Sequence, residues 1–226
     1  IYQCDWSSDV CSSDLTTALT SITTDAAGSL AINGGAITTT GAQTYNDAVT
    51  LGAVTTLSAS SITTGSTFNA SSYAATLTTD AIALGGNLSG SGALTIQPKT
   101  NSTTIGIGSA ASGTLSLDDT ELGRLVDGFS SITIGSTTGT GAIAVAYTTP
   151  YTFLDPLTIR SNTSGGGAIG ATSALNTGAN SLTITTGGAV STVAITSGTL
   201  AITGTGITLS GDVTTNRKST RLNSSH

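Results

Sequence analysis

Between residues 16 and 215 the chain holds no cysteine, methionine, histidine or tryptophan; both cysteines, the one tryptophan and the one histidine lie outside that stretch. Without histidine or cysteine there, no Ser-His-Asp or Cys-His nucleophile pair can be assembled, and no thiol or imidazole set for a metal exists. Charge is nearly as scarce. The full sequence has twelve acidic and six basic residues and a net charge of −6, and the stretch 16–215 keeps only Lys99, Arg124 and Arg160 as cations. Three scattered cations cannot follow a phosphate backbone, which excludes nucleic acid as the partner. No apolar run is long enough to cross a bilayer as a helix. A cysteine-free chain suits export, in which a passenger crosses membranes unfolded and disulfides obstruct it.

The two ends differ in composition from everything between them. Residues Asp5 to Leu15 (DWSSDVCSSDL) and Arg217 to His226 (RKSTRLNSSH) back-translate into DNA strings that are reverse complements over nearly their whole length. Both resemble a sequencing adapter oligonucleotide read once on each strand, with one departure: Asn216 stands where the adapter gives aspartate. Residues 1–15 and 216–226 are therefore expected to be adapter artefact, and 16–215 to be an internal fragment of a longer reading frame. The other reading, genuine ends with Cys4 and Cys11 in a disulfide loop or metal site, gives the cysteines weight only if they belong to the protein.

What is present in 16–215 is threonine, serine, glycine and alanine, with aliphatic residues spaced through them. From Thr104 to Val145 the pairs Ile105/Ile107, Leu115/Leu117, Ile132/Ile134 and Ile143/Val145 alternate with period two, the mark of a strand with one buried face. Glycine or small polar residues end each copy, as turns do. The pattern recurs in Leu94/Ile96, Leu157/Ile159, Leu182/Ile184, Leu200/Ile202 and Ile207/Leu209, and in strand-sized pieces from Leu19 to Leu84 that include Tyr45 to Leu51 and Leu57 to Thr63. A disordered linker does not need such regularity, and tandem sandwiches require a period of about one hundred residues that is not there. The expectation is an all-β, repetitive fold with coils of roughly twenty to thirty residues, about eight of them, in a rod roughly 40 Å long. One helical insertion interrupts it near residues 118–128. There Asp118 and Glu121 have capping-box spacing, Leu122, Leu125, Val126 and Phe129 have helical spacing, and Gly128 is placed to close the turn.

GAQTYNDAVTLGAVTTLSA, residues 41–59, resembles the repeat of large filamentous-haemagglutinin-like or autotransporter-type adhesins of Gram-negative bacteria; LDDTELGRLVDGFSSITIG and GTGAIAV look like a further module of the same surface proteins. The resemblance covers most of 16–215. It implies a right-handed parallel β-helix, passage through an outer-membrane secretion pore, an extracellular or outer-surface location, and a glycan or protein of a host or neighbouring cell as partner. The function it implies is a structural stalk or adhesive segment without chemistry of its own.

Few residues invite a chemical role. Asp118, Asp119 and Glu121, with Arg124 and Asp127 nearby, are the one candidate active site, because paired carboxylates serve as acid and base in polysaccharide-cleaving enzymes. That gives the alternative function, a carbohydrate-active β-helix enzyme. Helix capping and an intrahelical Glu121/Arg124 pair explain the same residues without catalysis. Tyr147, Tyr151 and Phe153 are candidate surface contacts for a sugar or protein, or else cover the core. The glycine-rich GIGSAASG and GGGAIGAT read as turns, as does Asn33-Gly34-Gly35. Asn69, Asn87, Asn101 and Asn162 begin Asn-x-Ser/Thr sequons that arise readily in such text. No cofactor and no metal set is read from the residues.

Overall fold

The structure, a computed structural model, describes residues 19–216 and the backbone of Thr220–Ser224. Residues 1–18 lie outside the described residues, as do 217–219 and 225–226. Thr220–Ser224, within the second stretch read as adapter, runs as a strand beside Thr199–Gly204. The adapter reading concerns the origin of the two ends, which the fold does not touch. Among the described residues the regular secondary structure is almost entirely strand, every strand pairing is parallel, and the one helix is Asp119–Leu122.

The strands form five sheets, of nine, six, four, four and three strands. In the first part of the chain Ile22–Thr23, Ser29–Ile32 and Ala36–Thr38 fall in three different sheets. Gln43–Tyr45, Ala48–Leu51 and Thr55–Ser58 then return to those sheets in the same order. Two more rounds follow, ending at Ala93–Gln97. The register shows that these rounds are nearly equal in length: Ile37 lies beside Leu57, Leu57 beside Leu77 and Leu77 beside Ile96. Later rounds pass from the nine-stranded to the six-stranded to the three-stranded sheet, as Ser181–Thr185, Ala189–Thr192 and Ile195–Ser197 do. This rotation is compatible with a β-helix-like solenoid. With about 4.8 Å between strands, the nine-stranded sheet spans about 40 Å.

Stacking in register puts like on like. Leu94, Ile132, Leu157, Leu182 and Leu200 form one buried row of the nine-stranded sheet, and Ile96, Ile134, Ile159, Ile184 and Ile202 the next. Each such side chain contributes roughly 1.5–3 kcal/mol by leaving water. The residues between the two rows point outward, and six of them in unbroken register are threonine: Thr56, Thr76, Thr95, Thr133, Thr158 and Thr183. Threonine also serves the corners, where buried Thr39, Thr55 and Thr79 each donate a hydroxyl to a carbonyl two residues away. A buried hydroxyl with a local acceptor stabilises a bend without leaving an unpaired polar atom.

Three expectations are corrected. The pieces Tyr45 to Leu51 and Leu57 to Thr63 are not single strands: each is broken by a corner, between Gln43–Tyr45 and Ala48–Leu51 and between Thr55–Ser58 and Ser61–Thr64. At the first corner Asn46 donates its side-chain amide to the Thr24 carbonyl and Asp47 accepts from the Gly28 N–H, so both polar side chains fasten the bend to the preceding round. The glycine-rich GGGAIGAT is not wholly turn, because Ile169–Ala171 is a strand of the six-stranded sheet. The helix does not run to residue 128. It stops at Leu122, capped by Gly123, because Arg124 to Val126 are held alongside Leu88 by Leu88 N–H to the Arg124 carbonyl and Val126 N–H to the Leu88 carbonyl. Gly128, at φ +133, turns the chain beyond that point.

The insertion lies in the round from Leu94 to Ile132, which takes nearly twice the chain of the rounds before it. In it Ile105–Ile107 and Leu115–Leu117 pair with each other in parallel, Ile105 beside Leu115, across residues 108–114. Parallel neighbours ordinarily need a dozen or more connecting residues. The shorter path is open because the backbones touch: a Cβ on Gly113 would run into the Gly106 nitrogen, and Gly108 turns at φ +99. Only glycine tolerates both demands.

Candidate functional site

The three carboxylates singled out by the sequence do come together at the start of the helix, and each is already in use. Asp118 is the N-cap, its Oδ1 accepting the Glu121 N–H at 2.7 Å, while Glu121 Oε2 accepts the Asp118 N–H at 2.9 Å. This completes the capping box. Glu121 Oε1 accepts the Leu84 N–H at 2.8 Å, which ties the helix to the end of the strand Ala81–Leu84. The expected Glu121/Arg124 ion pair does not form among the described residues, since both Glu121 oxygens are turned to backbone donors.

Asp119 is the most heavily engaged. Its Oδ1 accepts the Ser109 N–H at 2.8 Å, and Ser109 returns the contact by accepting the Asp119 N–H on its hydroxyl at 2.9 Å. Its Oδ2 accepts the Thr148 N–H at 2.9 Å, the Thr148 hydroxyl, and the Thr149 N–H at 3.1 Å. The Thr148 hydroxyl, then the Ser109 and Thr148 N–H groups, hold this carboxyl far below the usual carboxylate range. A carboxylate so anchored is poorly placed to shuttle protons, which asks for a pKa near the working pH.

Tyr147, Tyr151 and Phe153 lie together beside this helix and face inward. Phe153 is 1% and Tyr147 9% exposed, and Tyr151 is half-buried. Tyr151 and Phe153 meet edge to face with centroids 4.9 Å apart, and Tyr147 and Tyr151 lie 6.2 Å apart. The Tyr151 hydroxyl donates to the Leu122 carbonyl at 2.6 Å. There it joins the Leu125 N–H, at 3.1 Å, as a second donor to a carbonyl at the helix end. Burial, and secondarily the charge of Asp155, push the Tyr151 phenol up to about 12. The trio thus packs the helix onto the strands, and in this segment it is Leu154, 52% exposed, that faces water.

Asp155, 4% exposed, accepts the Gly128 N–H at 3.0 Å and so fixes the Asp-Gly-Phe turn to the following round. Lys99 is also engaged, its Nζ donating to the Thr39 carbonyl at 2.8 Å and its N–H to Asp80. An open groove of about 520 Å³ lies on the six-stranded sheet, between the crossing segment Ser112 to Thr114 and a floor of Ala144 and Gly170. Hydroxyls and methyls line it, and no titratable side chain does. Among the described residues no group of three or more His, Cys, Asp or Glu is placed to hold a metal ion. No helix among them is long and apolar enough to cross a membrane.

The carboxylate cluster was legible from spacing, but the segments it joins were not. Ser109 comes well before Asp119 and Thr148 well after it, with no motif linking the three. Comparison with family models, with curated proteins and with solved structures finds no match for this chain.

Proposed function

We propose that the chain is a stretch of right-handed parallel β-helix serving as a structural stalk or adhesive segment of a large secreted or surface-displayed bacterial protein. The observation that carries this reading is the continuous nine-stranded parallel sheet with its in-register rows of leucine and isoleucine inside and threonine outside. Such an element grows by adding rounds, so length comes without a thicker core. Parallel crossovers are right-handed as a rule, which supports that hand. The stretch that resembles surface-protein repeats, residues 41–59, supplies three successive strands of one round, Gln43–Tyr45, Ala48–Leu51 and Thr55–Ser58. In this reading the segment has no chemistry of its own, reaches the outer surface through an outer-membrane pore, and meets a glycan or protein on another cell.

Asp118, Asp119 and Glu121 are occupied with backbone and hydroxyl donors, which favours this reading over a polysaccharide-cleaving enzyme. The test is electron microscopy of the purified chain together with a polysaccharide-cleavage assay of the chain, Asp118→Asn and Asp119→Asn. Rods of constant width without cleavage are expected. Cleavage that disappears in either variant overturns the proposal.

A further inference from the structure

We propose that Asn33-Gly34 is a site of spontaneous, self-directed modification, at which Asn33 deamidates through a cyclic imide and its backbone isomerises. The reaction needs a side-chain amide free to bend back and a following backbone N–H free to attack it. Asn33 and Gly34 supply both. Asn33 is exposed in the turn between Ser29–Ile32 and Ala36–Thr38, and its side chain has no hydrogen-bond partner among the described residues. The Gly34 N–H likewise donates to nothing there, while its flanks are held: Gly52 N–H bonds the Ile32 carbonyl at 2.9 Å and Thr56 N–H bonds the Gly35 carbonyl at 3.0 Å. Glycine presents no side chain against the attack and is the least restricted residue in backbone angle.

Seven other asparagines fail one of the two conditions. Asn69, Asn162 and Asn176 accept a backbone N–H two residues ahead on Oδ1. Asn46 and Asn180 donate their amides to carbonyls of Thr24 and Leu154, and Asn101 accepts from Thr138. Asn87 is exposed with an unheld side chain, but the N–H that follows it, on Leu88, is bound to the Arg124 carbonyl at 2.8 Å.

In the first step the Gly34 nitrogen attacks Asn33 Cγ. A new C–N bond closes a five-membered imide, the Gly34 N–H proton passes to solvent, and the amide C–N bond breaks as its nitrogen takes a proton from solvent and leaves as ammonia. Water then opens the imide at either carbonyl. One opening leaves aspartate; the other leaves isoaspartate, with the backbone routed through the former side chain and one methylene longer. Either product adds a negative charge to a chain already at −6. The isoaspartate form lengthens a turn whose two ends are pinned to the next round, so the Gly52 and Thr56 N–H bonds weaken.

The test is incubation of the purified chain at mildly alkaline pH, followed by peptide mass spectrometry with an isoaspartate-specific methyltransferase. The same is done for Gly34→Ala and Asn33→Gln. A Cβ on Gly34 meets nothing within 4 Å and its φ is not left-handed, so Gly34→Ala keeps the fold. Asn33 is expected to give the dominant early product, with isoaspartate present, Gly34→Ala to lose most of that early signal, and Asn33→Gln to lose it altogether. In aged wild-type chain, amide exchange at Gly52 and Thr56 rises. Conversion at Asn33 no faster than at Asn69 or Asn162, or unchanged in Gly34→Ala, overturns the proposal.

Discussion

Asp119 and Thr148, far apart in the chain, are joined twice: Oδ2 of the aspartate accepts both the backbone N–H of Thr148, at 2.9 Å, and its hydroxyl. Ser109 holds the other oxygen. One exposed carboxylate therefore fastens the helix, the crossing segment that precedes it and the irregular segment after Val145.

Replacing Asp119 with alanine is expected to loosen these segments together, seen as faster amide exchange at Ser109, Thr148 and Thr149. Thr148→Val is expected to give part of the same change, and the double variant no more than Asp119→Ala alone, because the two act through one contact. The pH dependence follows in sign. A carboxyl held below its unfolded value stabilises the fold above the ordinary carboxylate range, and that contribution is lost as pH falls through the folded value. Asp119→Asn is therefore expected to flatten the acid limb of the unfolding curve; an unchanged acid limb contradicts the clamp.

Asp155 is expected to act in the opposite sense. Burial first raises its carboxyl above the ordinary value and the charge of Asp127 adds to this, while the Gly128 N–H offsets the rise only in part. The folded chain thus takes up this proton more readily than the unfolded one, so this group's effect on stability becomes more favourable as pH falls through the folded value. Asp155→Asn keeps an acceptor for Gly128 and carries no charge. It is expected to be more stable than the parent at neutral pH in urea unfolding, with the gain shrinking on acidification. A variant less stable than the parent at every pH overturns this reading.

Much of the strand content was readable because one physical rule, burial of alternate residues, writes Leu157/Ile159, Leu182/Ile184 and Leu200/Ile202 directly into the sequence. Partner choice was not readable. Leu157 lies beside Leu182, a full round further along, whereas Ile105 lies beside Leu115 across one short crossing, and both pairs look alike along the chain. What separates them is the contact between Gly106 and Gly113, a property of two backbones in space. Likewise Leu122, Leu125, Val126 and Phe129 stand at helical spacing, and all of them but the half-buried Val126 are buried, yet only Leu122 is helical, because Leu88 offers Arg124 and Val126 strand-like bonds instead.

The two sides of the nine-stranded sheet should respond unequally to truncation. Ile159, 0% exposed, sits in register between Ile134 and Ile184. Ile159→Ala is expected to cost about 2–5 kcal/mol in denaturant unfolding, the range for an aliphatic residue cut back to alanine in a core. Thr158, its outward neighbour, belongs to the threonine row, and Thr158→Ala is expected to cost under about 1 kcal/mol. Equal costs at the two positions argue against a core on that side of the sheet.

Tyr147 and Tyr151 offer a comparison in which the same atom is removed from two adjacent rings. The Tyr147 hydroxyl is buried and has no hydrogen-bond partner among the described residues. It therefore contributes a desolvation penalty and no bond. Burial and the charges of Tyr151 and Asp119 push its phenol well above the ordinary value, which keeps it neutral at any working pH. Tyr147→Phe is accordingly expected to leave stability unchanged or raise it. The Tyr151 hydroxyl instead bonds the Leu122 carbonyl at 2.6 Å. Tyr151→Phe keeps the edge-to-face contact with Phe153 but removes one of two donors to that carbonyl, which keeps only the Leu125 N–H at 3.1 Å, an expected cost of about 0.5–1.5 kcal/mol. Urea midpoints for the two variants measured side by side decide the matter, and a larger loss for Tyr147→Phe than for Tyr151→Phe reverses the assignment of which ring ties down the helix.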